Sequence, residues 1–467
     1  MSPTPRNPSR LLAEWGSAAR AADIPDRIRR IAKACVIDTV GVALAGAGTP
    51  VAGLVRQFAV RNSSAGRSDV WGAPARLSAV GAAACNATAA HALDFDDNCY
   101  AGFVHGSAVI VPAAMAIAQE TGATGAELLT AITVGAECEY AVGAAAGQDL
   151  YDKGWWTTGL LGPIGACVAA GHLLKLDAGQ MRAGIGLAVA GAGGSKSCFA
   201  TDAKALLAGE ASAAGLTWAL LAASGASGPD EPFTHANGFA ALHTDGVFDM
   251  AAFADLGRSW RLEAPGIDIK KFPICLSSHA AVDVVADIRV REGFSADEVE
   301  SVLCDVPPVV VANLAYATPS TPREAQFSME FAIAATLCFG APGVEHLRED
   351  VLASPALRAM MARVRMVSGP MWNAERRAAA PEGASVVLSL RDGRTYAGYQ
   401  THALGTAVNP VPPAHLRTKF LRCAEPTLGK PAAQRLLQAL DGLDAELPLR
   451  DLLNTALTGS LTRMPAE

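Results

Sequence analysis

The sequence predicts a mainly α protein: a large all-helical domain, with a smaller α+β domain inserted before the C-terminal helices. Three observations carry this. Helical hydrophobic periods recur through roughly the first half of the chain. Strand-type segments and a hairpin signal are confined to residues 301–400. After Asn409-Pro-Val-Pro-Pro413 the pattern from His415 to about Ala456 is helical again. The simplest arrangement places a helical domain over residues 1–266, the α+β domain over 267–405, and the helical remainder over 406–467. A chain of 467 residues is too long for one simple core, which agrees with two domains.

The elements follow in order. Over residues 24–41, Ile28, Ile31, Cys35 and Thr39 keep a helical period, while Arg29, Arg30 and Lys33 take the other side. A helix continued over 84–97 would set His91, Asp94 and Asp97 at i, i+3 and i+6 along one face, with Asp96 pointing away. Thr124 reads as an N-cap, with Glu127 as its capping-box partner. Residues 161–174 and 181–192 read as helices almost without charge, hence buried all round, and the Gly191–Gly194 cluster ends the second. Residues 204–224 form another helix, ended by Gly225. The character changes near 261–268. Residues 301–306 have strand composition, and 385–390 and 395–400 flank Asp392-Gly393, read as a two-residue hairpin turn. Helices over 278–291 and 327–338 intervene. The abundance of Ala and Gly predicts close helix–helix packing.

Composition narrows the function. Hydrophobic residues make up 51% and charged residues 18%, which supports a large core and argues against disorder. The net charge is -7 and no basic run interleaves with aromatics, so nucleic acid is not an expected partner. Ten dispersed cysteines without a CxxC pair suggest neither a zinc knot nor a disulfide framework. Met1 to Arg10 is polar and Pro-rich, unlike a signal peptide. The longest apolar run, near 108–118, contains Pro112 and is too short to span a bilayer. A soluble, cytoplasmic protein without a membrane partner is expected. No dinucleotide fingerprint, P-loop, nucleophile elbow or HExxH is present.

One segment concentrates ionisable groups in otherwise apolar surroundings: His91-Ala-Leu-Asp94-Phe-Asp96-Asp97-Asn98, followed by His105. Isolated buried charges are costly, so these groups need partners, shifted pKa values or a ligand. Imidazole beside carboxylate suits proton transfer near a small polar molecule. Read instead as metal ligands, His91, Asp94, Asp97 and His105 lack the rest of a first shell, and no metal is expected.

Several motifs, in order along nearly the whole chain, give this sequence a resemblance to a known family. They are Val36-Ile-Asp-Thr-Val-Gly-Val-Ala-Leu-Ala-Gly46, His91-Ala-Leu-Asp-Phe-Asp-Asp97, His105-Gly-Ser-Ala and Lys153-Gly-Trp-Trp-Thr-Thr-Gly. Asp202-Ala-Lys204-Ala-Leu-Leu, Lys270-Lys-Phe-Pro-Ile-Cys275-Leu-Ser-Ser-His279, Glu324-Ala-Gln-Phe-Ser328 and Val408-Asn-Pro410 follow. The chain resembles the MmgE/PrpD family, which includes 2-methylcitrate dehydratase, cis-aconitate decarboxylase and iminodisuccinate epimerase. The resemblance implies a helical domain with an α+β lid, a site in the cleft, a homodimer, no cofactor, and small di- or tricarboxylate substrates. Three departures stand out. Trp156 replaces a family His proposed to move protons, Asn98 replaces Thr, and Gly106 replaces Pro. Indole N–H only donates, so neither dehydration nor decarboxylation can be carried over unchanged.

On this basis the expected catalytic residues are His105 as acid/base, Lys204 as the cation for a substrate carboxylate, and Asp94. Asp94 or Asp97 would fix the His105 tautomer or bind a substrate hydroxyl. Asp97, Asn98, Trp156, Lys270, Cys275 and Tyr316 are the expected substrate-binding residues, with Trp156 narrowing the pocket or presenting a flat apolar wall and Cys275 as a substitute proton donor. Core packing is the competing reading for Tyr316 and Cys275, and a solvated face for Lys270 and Lys271. His91 is expected to be a core histidine, and His279 to start a helix. The reaction expected is that of a hydro-lyase, with an epimerase or decarboxylase of the same family as the alternative. A catalytically inactive binding or scaffold homologue is the reading from another class.

Overall fold

Apolar helices dominate the computed structural model, which describes residues 7–453. The start of the polar N-terminal segment and the end of the helical stretch expected to reach Ala456 lie outside the described residues. The chain forms two compact units. The first holds the chain up to Ala92, Asp96–Asp268 and the chain from Pro412 onward, and the second holds Leu93–Phe95 and Ile269–Val411.

The first unit is built from long helices, among them Asp26–Gly46, Ala79–His91, Gly106–Thr121, Gly125–Ala146, Thr157–Leu173, Ala178–Gly191 and Asp202–Ala223. Thr124 caps its helix through the Glu127 amide, and Glu127 returns the bond to the Thr124 N–H, as the sequence predicts. Asp202–Ala223 packs against both Ala79–His91 and Thr157–Leu173. Glycine makes that approach possible: a Cβ on Gly209 would fall 2.1 Å from Thr88 Oγ1. Asp202–Ala223 is long and apolar enough to cross a bilayer by composition, but over half of its most apolar window is buried against its neighbours. The helices Pro413–Leu428 and Lys430–Asp441 return to this unit after the proline cluster.

The second unit carries a four-stranded sheet in the order Val364–Val367, Val299–Asp305, Ala384–Leu390, Thr395–Gln400. The first pair is parallel and the other two are antiparallel. Ala384, Val386, Leu388 and Leu390 are buried at alternate positions, facing the helix His279–Glu292. The hairpin differs from the two-residue turn expected. Gly393 N–H donates to Leu390 O at 3.0 Å, and Leu390 N–H donates to Arg394 O at 2.8 Å. The connection is therefore a three-residue loop, with Gly393 at φ 90° supplying the left-handed residue of a bulge.

Candidate active site

The helix Ala79–His91 stops at His91 and does not run on to residue 97. Asp94 ends it with φ 48°, a left-handed conformation that Asp tolerates. Lys270 Nζ then donates to both the Asp94 carbonyl and Asp94 Oδ2, each at 2.8 Å. The expected face of His91, Asp94 and Asp97 does not exist. Asp94 belongs to the second unit and pairs with Lys270 there.

Asp96 takes the place given to Asp94, which reverses the expectation that it points away. Its Oδ2 lies 2.7 Å from His91 Nδ1 and 3.3 Å from His105 Nδ1. The two rings meet edge-on at 4.7 Å. His105 Nδ1 also lies 2.8 Å from the Asp97 carbonyl oxygen. A carbonyl and a carboxylate only accept, so Nδ1 of His105 carries its hydrogen. Asp97 thus helps to fix the tautomer through its backbone, and its carboxyl has another role. His105 is anchored again by its own N–H, which donates to Thr158 Oγ1 at 3.0 Å, and Thr157 Oγ1 donates to the Phe103 carbonyl. The helix Gly106–Thr121 begins directly after His105. A Cβ on residue 106 would fall 2.5 Å from the Tyr140 hydroxyl, so Tyr140 fills the space a proline ring would need.

Trp156 is only 2% exposed and packs 5.5 Å from the His91 ring. It seals the inner side of the cluster, and it offers a ligand almost no surface, contrary to the apolar wall expected. Lys204 is buried in the first turn of Asp202–Ala223, with Nζ 5.4 Å from the Phe199 ring. A cation there opposes the helix dipole, which makes the position favourable for an added anion. Asn98 is half-buried in the short strand Asn98–Cys99, paired to Ile267–Asp268. A separate cavity of about 740 Å³ in this unit is lined by Arg27, Tyr100, Phe103, Trp260 and Arg261, among others, and by none of the predicted site residues.

The first unit also holds buried carboxyls with raised pKa values: Asp97, expected from sequence as a binding residue, and Glu137 and Glu139, which sequence reasoning passed over. Burial pushes Asp97 up to about 7, with Asp38 and Asp96 adding repulsion against the pull of the neighbouring Ser107 and Cys35. Burial likewise raises Glu139 to about 8, with Asp97 adding to it. Glu137 rises to about 7 by burial, although it accepts the Arg261 and Leu262 N–H groups at 2.9 and 2.8 Å. Asp38 instead keeps a counter-ion, Lys419 Nζ, at 2.7 Å. The raised carboxyls hold protons in the native state that the unfolded chain loses near pH 4. Stability from them is full below that pH and is lost as pH rises toward 7–8. Glu139→Gln should therefore match the wild type in Tm near pH 4 and exceed it near pH 8.5. The gain is about 1.4 kcal/mol for each pH unit between the unfolded and native pKa values. Thermal melts across pH check this, and parallel curves for the two proteins would contradict it.

In the second unit, Lys270 and Lys271 are not a solvated face. Lys270 is buried on Asp94, and Lys271 Nζ donates to Asp283 Oδ1 at 2.7 Å. His279 starts the helix His279–Glu292, as expected, and its Nε2 lies 3.2 Å from the Ile274 carbonyl. Burial, then the Lys270 charge, push it down to about 3, so it is neutral. Burial lifts the Cys275 thiol to about 11 and keeps it protonated. Tyr316 is half-buried, with its N–H on the Phe327 carbonyl at 3.3 Å.

Among the described residues, His91, Asp96 and His105 are the one group whose donor atoms, all within 4.8 Å, could hold a cation. Two imidazoles and a carboxylate suit a divalent transition ion. The 2.7 Å contact and the Asp97 carbonyl on His105 instead mark a hydrogen-bonded cluster. The four-residue set weighed from sequence is not assembled, since Asp94 and the Asp97 carboxyl point elsewhere.

Fold and site together define a two-unit, mainly helical protein with an imidazole–carboxylate–imidazole cluster in its helical unit. The sequence models of the MmgE/PrpD N-terminal and C-terminal domains match residues 10–250 and 272–445. The chain belongs to the MmgE/PrpD family and is an enzyme of that family. It is 26% identical to the cis-aconitate decarboxylase of Mus musculus over 434 residues, covering 90% of this chain and 87% of the relative. It is 26% identical to that of Homo sapiens over 457 residues, covering 94% and 92%. It is 27% identical to the cis-aconitate decarboxylase of Aspergillus terreus over 294 residues, or 60% of each chain.

Proposed function

We propose that this protein is a lyase that decarboxylates a small unsaturated tricarboxylate of the cis-aconitate type, with His105 delivering a proton to carbon. The observation that carries this reading is the Asp96-supported imidazole of His105. Loss of CO2 leaves an electron pair beside the remaining carboxylates, and one proton must reach carbon to complete the product. An imidazolium held against a buried carboxylate can give that proton and be reloaded from solvent. Dehydration asks for a second acid to protonate the leaving hydroxyl, and Trp156 stands where the family resemblance would supply it. The hydro-lyase reading favoured by sequence therefore becomes the second choice. The likeness to relatives bearing the name cis-aconitate decarboxylase over 87% and 92% of their lengths supports the substrate class.

Lys204, aided by the helix N-terminus around it, holds one substrate carboxylate in this reading. The test is direct. Purified protein is given cis-aconitate, and CO2 is measured together with loss of the substrate and formation of a five-carbon product that keeps one carbon–carbon double bond. CO2 release equal to substrate consumed is expected. Hydration or dehydration without CO2 would return the reading to a hydro-lyase. Binding seen as a raised Tm, without turnover of cis-aconitate or of a carboxylate panel, would favour an inactive binding homologue.

A further inference from the structure

We propose that Asp96 is the positioning residue for this chemistry: one carboxylate oxygen, shared by His91 and His105, fixes the His91 ring as its Nδ1–H tautomer, reinforces the tautomer that the Asp97 carbonyl sets at His105, and routes proton exchange through His105 Nε2. This deepens the proposed function and rests on it for the role of His105. The carboxylate is fully buried, with Oδ2 at 2.7 Å from one ring and 3.3 Å from the other. A fixed anion at that place does two things. It accepts hydrogen from each Nδ1, so in the neutral cluster the basic lone pair of each ring sits on Nε2. It also offsets the positive charge that appears when His105 Nε2 takes up a proton, because opposite charges interact strongly where water is excluded. Trp156 over the His91 ring and the Asp97 carbonyl on His105 hold the geometry from two other sides. Oriented imidazole with a buried carboxylate behind it is a general way to prepare an acid–base group without spending binding energy at the moment of reaction.

Histidine-selective 15N NMR on the intact protein tests the assignment without any substrate. The chain has nine histidines, and His91→Gln and His105→Gln variants identify the two signals. In the wild type above pH 8 both rings should show a protonated Nδ1 and an unprotonated Nε2. In Asp96→Ala the His91 ring should shift toward the Nε2–H form, whereas His105 keeps Nδ1–H through the Asp97 carbonyl. Asp96→Asn, nearly the same shape, covers the case in which the alanine variant fails to fold. With cis-aconitate, Asp96→Asn should lower kcat at least about tenfold, in the range of acid–base effects, and leave KM within about twofold. A purely structural residue would move Tm and active fraction but not the tautomers. Nε2–H tautomers at both rings in the wild type, or wild-type kcat in Asp96→Asn, would overturn the proposal. Nδ1–H tautomers in a protein that turns over no carboxylate would leave the positioning geometry standing and refute the decarboxylase reading instead.

Discussion

His105→Asn is expected to lower turnover of a cis-aconitate-type substrate by about 10²–10⁴-fold, the range that general acid–base groups contribute, with little change in Tm. The choice of Asn matters. Its amide nitrogen sits close to where Nδ1 lies, so it can still donate to the Asp97 carbonyl and to Asp96, the contacts seen at 2.8 and 3.3 Å. What is lost is the ring nitrogen Nε2 and nothing else of consequence. The main-chain anchor from residue 105 to Thr158 Oγ1 is untouched. KM should move little, because the carboxylates are held by other groups. His105→Gln removes the Nδ1 contact as well and should be both slower and less stable. Steady-state kinetics and melting curves on the three proteins check the ordering. If the Asn variant keeps turnover within about twofold of wild type, His105 is not the proton donor.

Lys419→Met should have the largest effect on stability, a loss of about 3–5 kcal/mol, the usual cost of removing one partner of a buried ion pair. Asp38 is 1% exposed and its carboxylate lies 2.7 Å from Lys419 Nζ. Without the ammonium, Asp38 faces the field of Asp97, which is already held up to about 7 by burial and by Asp38 itself. Protonating Asp38 relieves that cost. The variant should therefore be least stable at high pH and regain stability as pH falls. Adding Asp38→Asn to Lys419→Met should restore most of the loss, since no unpaired charge remains. Denaturant melts of the two single variants and the double variant measure the coupling. Equal additive losses in the double variant would contradict the ion-pair account.

How far the sequence could be read is clearest at particular residues. The capping box at Thr124 and Glu127 was legible because both partners are local in sequence. The strand expected over 385–390 was legible because it flanks a turn signal close in sequence, and the structure extends it to Ala384–Leu390. The helix expected to run through 97 was not, because Asp94 trades the next helical turn for two bonds from Lys270, 176 residues away. The roles of Asp94 and Asp96 were exchanged by the same turn: a reading at helical spacing cannot see a left-handed residue at φ 48°. Trp156 read as a pocket wall because its neighbours in sequence gave no hint that the His91 ring covers it. The Asp38–Lys419 pair left no local signal, since its two members come from distant helices. An acidic residue inside an Ala- and Val-rich helix, as at Glu139, was the one sign available.

In the proposed reaction, His105 hands a solvent-derived proton to carbon as CO2 departs. Running the reaction of wild-type protein with cis-aconitate in D2O and weighing the product by mass spectrometry tests it most directly. One carbon-bound deuterium per CO2 released is predicted, with both quantities falling together in His105→Asn. Product formed without deuterium at carbon, or deuterium delivered at the wild-type rate by His105→Asn, would contradict the account.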